Sequence, residues 1–153
     1  MPRIRLFAKD YYIVSGLPVM STALSGMTSL PESGSYIDVS GYELVHILLH
    51  LGTIDNADSP TFEPRVADSS TGTLDQIDAT LVFTPAITDD GYFAIWTIAV
   101  GRLAEDHHHL AMLLGGTYTN GSYADVIYIM EPRRLPVTQT STVLPTAHQF
   151  TWT

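Results

Sequence analysis

The chain has 153 residues and no cysteine, enough for one domain that buries roughly two thirds of its unfolded surface without any disulfide. Charged residues make up only 15% of it, and the net charge is −9 with Lys9 as the single lysine. That balance argues against a nucleic-acid-binding protein, which needs clustered Lys and Arg to neutralise phosphates. No apolar run approaches the ~20 residues of a membrane helix, and the start "MPRIRLFAKDYYIVSG" lacks the unbroken apolar stretch of a signal peptide. A soluble protein made in the cytoplasm, with no membrane and no nucleic-acid partner, is expected.

The first segment, "RIRLFAKDYYIV" (3–14), alternates Arg3 and Arg5 with Ile4 and Leu6, which is strand periodicity. The stretch from 15 to 35 is rich in Ser, Gly, Thr and Pro but carries Leu17, Val19, Met20, Leu24, Met27 and Leu30. It reads either as an arm laid against another surface or as a loop folded over the protein's own core. The core is expected over 35–131, between an N-terminal strand and arm (1–34) and an extended tail (132–153).

Within the core, Tyr36–Val39 reads as a short strand, Ser40-Gly41 as a turn and "ELVHILLHL" as a long apolar strand ending at Gly52. In "TFEPRVADSSTG" (61–72), Phe62 and Val66 flank Pro64, which suggests an edge strand. "ATLVFTPAI" (79–87) and "YFAIWTIAV" (92–100) read as two strands joined by the turn "TDDG". "LAMLLGGTYT" (110–119) and "ADVIYIME" (124–131) read as a second hairpin across Asn120-Gly121. The one candidate helix is "GRLAEDHHHLAMLL", bounded by glycines. Pro132, Pro136 and Pro145 forbid a helix or central strand in the tail, which ends on Phe150 and Trp152. Strands every ten to fifteen residues predict an all-β fold, a β-sandwich or jelly-roll-like barrel with extended arms.

The run "EDHHHLAMLLGG" (105–116) raises the question of metal. On a strand, His107 and His109 share a face while His108 does not. A tetrahedral site needs a third ligand, and the candidates are His46, His50, Glu105, Asp106 and His148. "HILLH" puts His46 and His50 about 13 Å apart on a strand, too far to hold one ion. His107 and His109 therefore remain weak metal candidates, and the polar lead-in to a strand is the favoured reading. No Gly-x-Ser-x-Gly elbow, phosphate loop or placeable carboxylate pair is present, so no catalytic residue and no cofactor is assigned. Tyr92, Phe93 and Trp96 offer sugar-stacking rings, but the strand spacing of Tyr92 and Trp96 assigns them to the core.

Leu51-Gly52, Asp55 with Ala57, Thr88-Asp89-Asp90, the His109 region and Glu131–Gln139 together carry a resemblance. Over residues 35–139 the chain resembles small β-rich virion proteins of tailed bacteriophages. The resemblance implies a capsid decoration or auxiliary head protein on the outside of the shell, with the major capsid protein as partner and a homo-oligomer, a trimer in particular, as its state. Interfaces are then expected at Arg3, Arg5, Phe7, Arg133, Arg134, Phe150 and Trp152. A neck or tail protein, a carbohydrate-binding β-sandwich and a metal-dependent β-barrel enzyme are the alternatives.

Overall fold

The computed structural model describes residues 12–15, 24–118 and 121–133, with only backbone pairing for the first of these segments. Nine strands form among the described residues: β1 (Tyr12–Ser15), β2 (Ser29–Leu30), β3 (Ile37–Asp38), β4 (Tyr42–Leu51), β5 (Ser59–Ala67), β6 (Asp75–Gln76), β7 (Phe93–Ala99), β8 (His109–Thr117) and β9 (Ala124–Pro132). Two single 3-10 turns, Ala79–Leu81 and Val100–Arg102, are the helical elements among the described residues. No helix there is long and apolar enough to cross a membrane.

The strands build two antiparallel sheets packed into a β-sandwich, one in the order β1-β9-β4-β7 and one in the order β2-β8-β5-β6. β5 occupies one side of β8 along its whole length, from Ser59 opposite Thr117 to Ala67 opposite His109. β2 and β3 therefore share the other side of β8, as two pieces of one interrupted strand. Counted so, there are eight strands, and every connection except β5 to β6 passes from one sheet to the other. This is the winding of a jelly roll.

Alternation places the core between the sheets. Val45, Ile47, Leu49 and Leu51 of β4 and Val126, Tyr128 and Met130 of β9 face Phe62 and Val66 of β5 and Leu110, Met112 and Leu114 of β8, all of them buried. Each such side chain contributes about 1.5–3 kcal/mol on leaving water. The Tyr128 hydroxyl, sealed in this layer, donates to the Leu30 carbonyl and so ties β9 to β2 of the opposite sheet. Burial in apolar surroundings pushes its pKa up.

Five expectations change. The boundary at residue 34 moves, because Leu24 and Leu30 are fully buried in the core and β2 pairs with β8. Residues 24–34 thus belong to the sandwich rather than to an arm. Residues 79–87 form a 3-10 turn and a lone bridge from Phe83 to Phe62, so they are not a strand of the β7 sheet. "TDDG" is consequently not a hairpin: the turn uses Gly91 at φ 77° and hands the chain to β7, which pairs with β4. The connection after β8 likewise leads to a strand of the other sheet, because β8 and β9 each find other partners along both edges. The candidate helix over 101–114 is a 3-10 turn and then β8, a strand from His109 that pairs with β5 along its whole length.

Prolines sit in β5 without breaking it. Phe62 exchanges backbone hydrogen bonds with Phe83 on the side away from β8. Pro60 and Pro64 share the parity of Phe62, so their missing N–H groups would have pointed away from β8 as well. β5 is not the edge strand that Pro64 suggested, since it lies between β8 and β6; its pairing on the β6 side among the described residues is the Phe62–Phe83 bridge and two residue pairs.

Candidate interaction surface

The two outer faces of the sandwich differ in chemistry. On the β8-β5 sheet, the positions that alternate with the core carry Glu63 and Arg65. Glu63 is only 6% exposed, and its carboxylate is fully used: Arg65 donates to Oε2 from Nε at 2.9 Å, and Gln76 of β6 donates to Oε1 at 2.6 Å. A second Arg65 nitrogen donates to the Leu74 carbonyl at 3.2 Å. A buried carboxylate is tolerable when its lone pairs are met in this way.

On the β9-β4-β7 sheet the outward positions are mostly apolar. The register sets Leu48 of β4 between Ile127 of β9 and Ile95 of β7, with Ile129 and Phe93 in the adjoining rows and Leu44 one row further along. The two histidines of "HILLH" stand on this face at alternate outward positions. His46 Nδ1 lies 3.0 Å from the Thr97 hydroxyl, and the His50 ring stacks on Phe93 with centroids 4.4 Å apart. Asp125, opposite His50, is held above the ordinary carboxylate range chiefly by loss of hydration, against the opposing pull of the His50 charge and the Val126 N–H.

β7 forms the rim of this face, and among the described residues no strand pairs with its outer edge. Ile95 is 67% exposed, Tyr92 62% and Phe93 60%, and Val82 and Ile87 on the preceding segment are exposed too. The expectation that Tyr92 serves the core is corrected here. Tyr92 precedes β7 and projects into solvent, whereas Trp96 is half-buried, donates from Nε1 to the Leu81 carbonyl at 2.9 Å and meets Phe83 edge-on. An open strand edge flanked by large exposed apolar side chains is the physical signature of a contact surface.

The histidine run occupies the opposite sheet. The strand starts at His109, so His107 and His108 are its lead-in. His107 is clamped between two carboxylates, with Nδ1 2.7 Å from Asp106 and Nε2 3.0 Å from Asp75. Both nitrogens donate only in the imidazolium, and the Asp106 and Asp75 hydrogen bonds accordingly raise the pKa of the ring. His109 lies opposite Asp38 and Ala67, away from that clamp. Asp38 is held low first by the Ser40 N–H, with smaller help from His109 and His108. Among the described residues no group of three or more His, Asp or Glu side chains is arranged to hold a metal ion.

Of the expected interface residues, the described chain includes Arg133, whose backbone N–H donates to Gly41 and whose Nε donates to the Tyr42 carbonyl, both at 3.2 Å. Arg3, Arg5, Phe7, Arg134, Phe150 and Trp152, together with His148, lie outside the described residues. The apolar outer face went unnoticed in the sequence, although a signal for it exists. "LVHILLHL" and "VIYIM" are apolar at both parities, as strands covered on both sides are. Comparison with protein-family models, with curated proteins and with solved structures found no match.

Proposed function

We propose that the chain is a structural protein of a tailed-bacteriophage virion, an auxiliary or decoration subunit that binds the mature head shell and stabilises it. The observation that carries this reading is the open β7 edge with its exposed Tyr92, Phe93 and Ile95, continuous with an apolar sheet face. Such a surface favours contact with another protein over catalysis, because it offers area and backbone hydrogen bonds rather than convergent polar groups. The resemblance of residues 35–139 to small virion proteins supplies the setting, and the jelly-roll winding is compatible with it as analogy only. The major capsid protein is the proposed partner and a homo-oligomer, trimeric by preference, the proposed state. Weak contacts repeated in many copies add up on a shell. Arg3, Arg5, Phe7, Arg133, Arg134, Phe150 and Trp152 are the proposed anchors at the chain ends.

Co-sedimentation with immature and expanded shells of the source phage tests the reading. Saturable binding to the expanded shell alone, at a stoichiometry matching its threefold positions, is the expected result; no binding to either shell overturns it, and binding to purified tails instead moves the subunit to the neck or tail. A second reading, glycan binding, draws on the exposed rings of Tyr92 and Phe93. A glycan array with hits abolished by Tyr92→Ala would favour it.

A further inference from the structure

Charge is unevenly spread along this chain. Every Asp and Glu except Asp10 lies between residues 24 and 133, whereas of the basic residues only Arg65, Arg102 and Arg133 lie there. Arg3, Arg5 and Lys9 precede β1. The segment "RIRLF" is thus a proline-free, basic and apolar alternation in front of a strongly acidic body. Its apolar side chains match Ile95 and Phe93, and its arginines match Asp78, Asp89 and Asp90 on the segment leading into β7.

We propose that β7 receives residues Arg3–Phe7 of a second copy of this chain as an added antiparallel or parallel strand. Ile4 and Leu6 then extend the outer apolar face beyond Ile95, and Arg3 and Arg5 turn toward the acidic segment 78–90. Reach decides in favour of a second copy. Tyr12 of β1 is level with Met130, Val45 and Ile98, so a strand beyond β7 stands four strand spacings, about 19 Å, from β1. Phe7 is five residues before Tyr12 and spans at most about 18 Å in a straight line. It would also have to pass over the side chains of the face. The tail is the poorer donor, because its proline-free stretch 137–144, "VTQTSTVL", carries no basic residue to meet the acidic segment. A donor on one side of the subunit and an acceptor on the other make a head-to-tail contact, which closes into a ring when its rotation allows.

The inference rests on the assembly reading in taking the subunit to work in several copies. Because the chain has no cysteine, site-specific cross-linking of the full-length protein tests it cleanly. An Ile4→Cys preparation and an Ile95→Cys preparation are mixed and joined with a short bismaleimide, with Thr61→Cys on the opposite sheet as control. The mixed two-chain product is expected at least tenfold above the control. Arg3→Glu with Arg5→Glu should bring it down to the control and shift sedimentation toward the monomer. Mixed product at the control level overturns the proposal, and so does a chain carrying both cysteines that links only within itself on dilution. Shell binding is measured on the same wild-type protein. Binding without cross-linking removes the strand addition alone, and cross-linking without binding removes the virion role alone.

Discussion

The outer faces of the two sheets have the same backbone geometry and opposite fates. On the β8-β5 face, Glu63, Arg65 and Gln76 satisfy one another, and Ala67 and Ala111 are buried beside them, so that face is finished within the chain. On the β9-β4-β7 face, Leu48, Ile95 and Ile127 form a row that ends at a strand edge with no partner among the described residues. Polar side chains on a completed face hold stability; apolar ones at an open edge hold potential contacts. Substitutions on the first should therefore be felt in folding, and on the second in association.

The largest effect expected is from Glu63→Ala. It leaves Arg65 and Gln76 without their shared acceptor and should cost about 2 kcal/mol, the usual scale for orphaning partly buried polar groups. A urea-denaturation midpoint measures it, and a loss no larger than that of a surface residue would end the contrast between the faces. Ile95→Ser, at a 67% exposed position, should change stability by no more than about 0.5 kcal/mol while lowering self-association in sedimentation and the binding of an apolar dye. If it unfolds the protein instead, the β7 edge is part of the core.

Asp125 sharpens the comparison through pH. Its pKa is raised by burial, so the folded state disfavours its ionised form, and it subtracts from stability at neutral pH. Asp125→Asn should thus raise the melting temperature at pH 7, and the gain should shrink as pH falls through the raised folded value toward the unfolded value of about 4. The smallest effect belongs to His107. Its raised pKa contributes stability that is complete below the unfolded value of about 6.5 and is lost as pH rises through the folded one. An NMR titration should place the ring midpoint above 6.5, and Asp75→Asn should move it back down.

Much of the fold is legible in the sequence. The long strands announce themselves by alternation or by unbroken apolar runs, and the lead-in histidines resolve correctly into the start of β8. Partnership is what local signals misjudge. Asp90-Gly91 does make a turn, yet a turn specifies only that the chain reverses, not that the flanking strands bond to each other. Phe83 pairs with Phe62, and β8 and β9 separate into different sheets, because the apolar area buried between layers outweighs the preference for a neighbour. Leu24 and Leu30 left two readings open, an arm or a loop over the core, and only the assembled core shows that they pack within it. Of the ends singled out as interfaces only Arg133 lies within the described residues, and the open β7 edge was not read from the sequence.

The position of β9 has a consequence for how the molecule is made. β9 lies between β1 and β4, so the first strand of its sheet has no hydrogen-bonding neighbour until the last described strand has been synthesised. The second sheet and the β4–β7 pair can form earlier, but β1 cannot join its sheet as the chain emerges from the ribosome. It waits for a partner at the far end of the described sequence, and long-range pairing of this kind makes folding slow. Premature termination before residue 132 would leave an unfinished sheet with two facing raw edges, a species for chaperones and proteases rather than a smaller working subunit.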